Sequence, residues 1–444
     1  VFSKKVEVKG VAPEQSDDAI ADAFAAKFAD RLRYDHTSGF WYEFDGTRWV
    51  RDEGQTVQYH CRMICRTLAD GKTKIASAAT IAAAERLARS DPRLSVWGEV
   101  WDLDDWLLGT PDGVVNLRTG KIVKARADQM ITKTTAVRPK AGPPTRWLDF
   151  LNQCTGGDTE VIEFLQEWCG YILTGSTAEH AFLFVHGGGG NGKSVFLNTI
   201  TGIMHEYAKT ATMDTFTASK FETHTTDLAM LQGARLVTAS ETEEGKAWAE
   251  AKIKQMTGAD PITARFMRRD NFTYVPKFKL TIVGNHAPVV QSVDEAMQRR
   301  FRILPFDRRP RRPDMALEAK LKDEWPEILN WMVEGCMKWQ DGGLHYPETM
   351  RGAAKEYFES QDVLGQFLEA CCDTGAGLYE AKPMLFKEWS SFCRDNGEEV
   401  GTQRRFTQAM EKRGFRSGRD PGASRSRILK GVALKPKERG YDPD

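Results

Sequence analysis

No run of apolar residues approaches the roughly 20 needed to span a bilayer, so no membrane-spanning helix is expected. Residues 1–10 lack the apolar centre of a signal peptide. No Cys-x-x-Cys pair occurs. Cys61 and Cys65 stand four apart, Cys371 and Cys372 are adjacent, and the other cysteines are scattered, a pattern of free thiols in a reducing compartment rather than of zinc ligands. No internal repeat is present. Net charge is absent too, with 62 Lys plus Arg against 62 Asp plus Glu, so charge alone says nothing about nucleic acid. The expectation is a soluble interior protein, and the opening on Val1 rather than Met leads to the expectation of a fragment or a processed product.

What is present is enough apolar material to fill several cores. At 444 residues the chain has room for two to four domains, and 41% of it is apolar. The first segment, 1–140, reads as a small α+β domain. Ser16 is a helix cap, followed by Ile20, Phe24, Phe28 and Leu32 on one face. An aromatic hairpin is expected over 40–49 around Asp45-Gly46, and a second over 113–123. Pro139, Gly142, Pro143 and Pro144 mark a boundary. Apolar runs then alternate with helical stretches up to Phe306, the pattern of an α/β sheet domain, assigned to 145–344 with its leading helices. The tail, 345–444, reads as a separate helical domain with a basic end. Between 403 and 440 twelve basic residues face three acids.

The chemistry concentrates in the middle. Gly187, Gly188, Gly189, Gly190, Asn191, Gly192, Lys193 and Ser194 match the phosphate-binding pattern G-x-x-x-x-G-K-[ST], and Val195 opens the helix behind it. The apolar run 181–185 precedes the motif as a strand. Glycines let backbone N–H groups approach phosphate oxygens, Lys193 reaches the β- and γ-phosphates, and the Ser194 hydroxyl ligates Mg²⁺. An ATP site is expected. A second strand, 235–240, runs into Glu241, Glu243 and Glu244, suited to holding Mg²⁺ and orienting water. Glu241 is the first choice, with Glu244 and then Glu243 behind it, and the choice of second acid between those two stays open. A third strand, 277–283, ends at Asn285, which can hydrogen-bond the γ-phosphate or the attacking water. Arg299 and Arg300 follow, planar cations suited to the charge on a transferred phosphate. Arg302 alternates to the other face of a strand and reads as solvated.

Loop, acids, asparagine and arginine pair all fall between Gly187 and Arg300, and that order resembles the superfamily 3 helicases, a branch of the AAA+ ATPases. The stretches 239–245, 254–265, 294–300 and 303–306 resemble the phage, plasmid and poxvirus primase-helicases in particular, and 111–120 with 131–133 is similar to the domain before their motor. The resemblance implies a hexameric ring with Mg²⁺ and ATP at subunit interfaces. Lys193, Ser194, Glu241 and Asn285 would act from one subunit, and Arg299 or Arg300 from the next. It implies a hairpin over 264–270 in a central channel, where Arg265, Arg268 and Arg269, preceded by Lys254, hold one DNA strand. The expected partners are single-stranded and forked DNA, further copies of the chain, and a primase or polymerase domain. The cell would be bacterial or phage-infected, the compartment its cytoplasm.

The acids depart from two adjacent carboxylates, because Ser240 precedes Glu241. Asp102 and Asp104 have the spacing of a polymerase pair but lie in the helicase-associated segment, so primase chemistry is not expected here. In the tail, Arg404 and Arg405 begin a helix, and strands near 415–416 and 428–430 flank an Arg-rich loop holding Arg425 and Arg427. That order points to a winged helix lying on duplex DNA, the alternative being a helical subunit contact. Three activities fit unequally. A 3′-to-5′ replicative helicase comes first, then an ATP-switched initiator or loader. A nucleotide kinase would leave Asn285 and the arginine pair unused.

Overall fold

The computed structural model describes residues 14–72, 74–218, 225–240, 246–290, 294–310, 313–420 and 426–436. Its contacts divide the chain into two units, Val1–Val289 with Glu295–Ala353, and Val290–Asp294 with Ala354–Asp444.

The first unit opens with α1 (Asp17–Phe28), capped by Ser16 Oγ, which accepts from Ala19 N at 3.2 Å. Ile20 and Phe24 are buried as expected. Leu32 is not on that helix. The helix ends at Phe28, and Leu32 reaches the same core from β1 (Leu32–Asp35). β2 (Phe40–Phe44) and β3 (Trp49–Arg51) form the aromatic hairpin, and α2 (Thr56–Ala69) and α3 (Ala78–Ala88) precede β4 (Ser95–Val96). These strands form one sheet in the order β3-β2-β1-β4. A second, antiparallel sheet holds β5 (Leu107–Thr110), β6 (Gly113–Asn116) and β7 (Lys121–Val123), which includes the hairpin expected over 113–123. Asp102 and Asp104 serve structure there. Asp102 accepts from Lys133 Nζ at 2.8 Å and from Thr132 N at 2.9 Å, while Asp104 Oδ1 accepts from Trp106 N.

Two helices, α4 (Thr145–Thr155) and α5 (Thr159–Tyr171), lead into a five-stranded, all-parallel sheet. Along the chain it comprises β8 (Phe182–His186), α6 (Lys193–Met204), β9 (Ala208–Thr210), α7 (Thr226–Ala229), β10 (Leu236–Ser240), α8 (Glu250–Thr257), β11 (Ile262–Ala264), β12 (Phe272–Tyr274), β13 (Lys279–Gly284), α9 (Glu295–Gln298) and β14 (Phe301–Pro305). The strand order is β14-β8-β13-β10-β9, with β11 and β12 forming a separate two-stranded hairpin. Burial of the central strands explains their near-continuous apolar sequences.

Two buried cations enter this sheet. Lys279 Nζ, at the start of β13, donates to the carbonyls of Thr174, Ser176 and Lys277. Arg235, just before β10, donates to Leu173 O and, at 2.8 Å, to Leu107 O. Carbonyls left over at the exit of α5 are thereby satisfied, and β5 is tied to the parallel sheet.

α10 (Leu317–Lys322), α11 (Trp325–Gly342) and α12 (Glu348–Gln361) follow, and α11 packs along α5 through facing glycines. A Cβ on Gly170 would stand 2.0 Å from Cys336 N, and one on Gly335 2.0 Å from Gln166 O. Backbone meets backbone at that seam.

In the second unit α13 (Val363–Cys371), β15 (Cys372–Ala381), α14 (Lys382–Asp395), α15 (Gln403–Lys412), β16 (Arg416–Arg419) and β17 (Arg427–Leu434) enclose their own core of Phe367, Trp389, Phe406, Met410 and Leu429. The sheet is antiparallel, in the order β15-β17-β16. The strands flanking the arginine-rich stretch pair as a hairpin, whereas β15 interrupts a tail expected to be helical up to that point. No helix among the described residues is long and apolar enough to cross a membrane.

Candidate phosphate-binding site

The glycine motif leaves the carboxyl end of β8 and turns directly into α6. Chain direction makes that position special. From β8 the chain passes through α6 to β9 at one edge of the sheet. From β13, the neighbour of β8, it passes to β14 at the other edge. In a parallel sheet the crevice between two such strands, at their carboxyl ends, is where ligands bind.

The loop has a packed side and an open side. A Cβ on Gly187 would lie 2.1 Å from Phe306 O, and one on Gly192 2.7 Å from Cys154 Sγ, so larger residues are excluded there. Gly192 also has φ +92°, the left-handed region in which glycine starts α6. Gly188, Gly189 and Gly190 are exposed, and nothing lies within 4 Å of a Cβ on Gly189 or Gly190. Backbone N–H groups and a 12-residue helix start therefore face a free space of the kind a phosphate group fills.

Lys193 is buried within the loop. Its Nζ donates to Gly187 O at 2.6 Å, Gly188 O at 3.0 Å and Asn191 Oδ1 at 2.9 Å. Burial lowers its pKa; Asp307 opposes that shift and Arg309 adds to it. Asn191 Nδ2 in turn donates to Phe306 O, which fixes the loop to the strand end of β14. Ser194 is exposed at the start of α6, and Val195 is half-buried beside it.

Strand register brings the other expected residues level with this loop, or removes them from it. His186 pairs with Gly284, so Asn285, the exposed next residue, stands beside the start of the loop. Ser240 pairs with Val283, which brings the end of β10 to the same edge. Glu241, Glu243 and Glu244 follow it but lie outside the described residues. Arg299 and Arg300 are at the opposite end. Phe301 pairs with Phe182 and Pro305 with His186, so the pair, at the amino end of β14, lies a full strand, about 16 Å, from the loop of its own chain. Arg300 Nη1 donates to Ala296 O at 2.9 Å, while Arg299 is exposed. Arg302, expected to be solvated, is half-buried, with its guanidinium 4.5 Å from the Tyr346 ring centroid and Nη1 donating to Arg299 O. Alternation turned it inward, against an aromatic contributed by a distant segment.

Asp307 and Arg309, which no sequence motif singled out, follow Phe306, and their charges act on Lys193 in the loop. Their signal was positional, since they continue the strand that ends beside the glycine motif.

Arg265, Arg268 and Arg269 are exposed at the turn of the β11–β12 hairpin, together with Met267, which is 76% exposed. Phe266 and Phe272 stack at 5.6 Å across the hairpin, and Tyr274 donates to Leu228 O at 2.6 Å, giving the turn a firm base. Lys254 is half-buried on α8, ahead of it. In the second unit Arg404, Arg405 and Arg427 are exposed, whereas Arg425 lies outside the described residues.

Residues 21–156 match the family described as D5 N terminal like, and residues 185–300 match a family of unknown function, DUF5906. A helicase-named protein of Acanthamoeba polyphaga mimivirus is 22% identical over 306 residues, and one of Frog virus 3 (isolate Goorha) is 24% identical over 250. The C-terminal region of NrS-1 in its A form shares the fold at a TM-score of 0.53 and 9% identity, over 94% of this chain and 100% of that one. In these matches the chain resembles the phage and viral primase-helicases. The chain covers 32% of the mimivirus protein's length and 26% of the frog virus protein's, while they match 62% and 51% of it. A second NrS-1 structure, at 10% identity, gives a TM-score of 0.54 over 95% of the chain, again a likeness of fold.

Proposed function

We propose that the chain is the ATP-driven motor of a DNA helicase of the superfamily 3, AAA+ kind, working as a homo-oligomeric ring, with six subunits as the expected number. The observation that carries this reading is the loop itself. A buried lysine is held among loop carbonyls at the carboxyl end of a central parallel strand, and the register sets Asn285 beside it. With nucleotide bound, Lys193 would exchange its carbonyl partners for phosphate oxygens, and Asn285 would orient water. Mg²⁺, held by Ser194 with an acid after Ser240, would supply charge neutralisation on the phosphates.

The remoteness of Arg299 and Arg300 from their own loop supports their action on a neighbouring subunit. Exposure favours Arg299 as the one that reaches across, because Arg300 is tied to Ala296. The exposed cationic turn of the β11–β12 hairpin suits backbone-only contact with one DNA strand, and hence translocation indifferent to sequence. A direction of 3′ to 5′ rests on the family resemblance.

A second reading is favoured by one observation. The helix–strand–helix–helix–strand–strand order of the second unit, with Arg404 and Arg405 exposed at the start of α15, supports a winged helix on duplex DNA. An initiator or loader that hydrolyses ATP once per assembly would use it.

Steady-state ATP hydrolysis, with and without single-stranded DNA at a stated salt concentration, separates the two. Severalfold stimulation by DNA in the parent and no activity in Lys193→Ala are expected. Hydrolysis indifferent to DNA in an assembled oligomer moves the assignment to the loader, and an active Lys193→Ala removes the loop from either.

A further inference from the structure

The segment that leaves β14 rests on the phosphate loop of its own chain and carries cations that the function above does not use. Its attachment is tight. Phe306 O is the atom that a Cβ on Gly187 would strike, and it accepts from Asn191 Nδ2. Asn191 is 2% exposed, and its other amide atom accepts from Lys193, so residues 307–309 start from a point fixed to the loop. Beyond it the two arginines diverge. Arg308 turns toward α4, with Nε 3.1 Å from where a Cβ on Gly156 would be. Arg309 turns toward the loop, with Nη2 3.3 Å from where a Cβ on Gly188 would be. Gly188 is also the residue whose carbonyl accepts from Lys193 at 3.0 Å. One exposed loop glycine is therefore flanked by two cations, one from within the motif and one from a strand end 115 positions after Lys193's neighbour Asn191, at Phe306, and three further on.

We infer that Arg309 is a phosphate ligand supplied by the same chain, and that it contacts the terminal phosphate of a bound nucleoside triphosphate. This rests on the reading of the loop as a nucleotide site. The lysine of such a loop serves the β- and γ-phosphates, and here its amine already lies at Gly188. A guanidinium beside the same glycine meets the γ-phosphate side of the bound chain of phosphates. Its planar fork suits two phosphate oxygens at once. Arg309 is thus distinct from Arg299 and Arg300, which stand at the other end of β14. It makes the site selective for triphosphate over diphosphate within one protomer, without a neighbour.

The test is titration calorimetry on the full chain with Mg²⁺ and either a non-hydrolysable ATP analogue or ADP. Parent, Lys193→Ala, Arg308→Ala, Arg309→Ala and Arg309→Lys are compared. Loss of a charge-assisted contact in Arg309→Ala should weaken the triphosphate analogue about tenfold or more and ADP less than about threefold. Arg309→Lys should fall between Arg309→Ala and the parent. Arg308→Ala removes the same charge but points at α4, and should bind both nucleotides as the parent does. Equal weakening in the Arg308 and Arg309 variants, or equal weakening of both nucleotides in Arg309→Ala, overturns the inference. Parent protein that binds neither nucleotide, or Lys193→Ala that binds as the parent does, overturns the nucleotide site and the inference with it. A parent that binds normally beside an unaffected Arg309→Ala overturns the inference alone.

Discussion

Replacing Gly335 by alanine adds one methyl group and should be among the most damaging small changes available in the first unit. The added Cβ would stand 2.0 Å from Gln166 O, whereas real Cβ contacts are essentially never under 3.0 Å. Relief therefore requires α5 and α11 to part by about 1 Å or more at that point. The obstacle is a backbone carbonyl inside a helix, which cannot rotate away as a side chain would. Parting the helices also loosens Trp168, Met332 and Cys336, all fully buried along the same seam. Overpacking of this kind costs about 1–3 kcal/mol, occasionally more, and backbone against backbone belongs at the upper end. At ~2–4 °C per kcal/mol for a large domain, a loss of about 5 °C or more in the melting temperature is expected. Gly342→Ala is the matched control, since it lies in the same helix with nothing within 4 Å of its Cβ, and it should stay within about 0.5 kcal/mol of the parent. The assay is thermal unfolding followed by circular dichroism at a fixed scan rate. If Gly335→Ala and Gly342→Ala melt together, the close approach of the two helices is wrong.

The hairpin and the N-terminal segment give two further expectations. Arg268→Ala with Arg269→Ala should weaken single-stranded DNA binding alike for all sequences and reduce the salt slope by about 1.4, two phosphates at ~0.7 each, with DNA-free hydrolysis retained; an unchanged slope places the strand elsewhere. Burial raises the Asp102 pKa, but Lys133 and the Thr132 hydrogen bonds outweigh it and hold the carboxyl below its ordinary value. Its stabilisation is therefore present above the unfolded carboxylate pKa of about 3.9 and is lost as pH falls through the lower folded value. Asp102→Asn should cost about 1–3 kcal/mol at neutral pH, and the gap to the parent should close on acidification below about pH 4; a gap independent of pH in thermal melts refutes the pairing.

Much of the parallel sheet was legible because its strands are buried on both faces. The apolar runs 181–185, 235–240 and 277–283 lie on β8, β10 and β13 within a residue or two. The glycine motif was legible because few residue types fit a loop pressed on Phe306 and Cys154. What stayed hidden depended on partners distant in sequence. β15 reads as a turn-rich, mostly exposed stretch and becomes a strand only by pairing with β17. Lys279 and Arg235 look like surface charges, and only the carbonyls at the exit of α5 explain their burial. Arg309 sits in a basic run that looks solvated until the register of β14 against β8 carries it to the loop. The separation of Arg299 from that loop has the same origin.

That register also has a mechanical meaning. β14 is the edge strand of its sheet, paired to β8 from Phe301 to Pro305, with an arginine pair before it and another after it. A hydrogen-bonded strand neither stretches nor slips by less than a whole register, so it behaves as a short push-rod. A pull on the arginines at one end would then be passed along the paired strand to the other. In the ring proposed above, were each end to serve a different nucleotide, its own chain's and its neighbour's, such a rod would let adjacent subunits keep their turnovers out of phase.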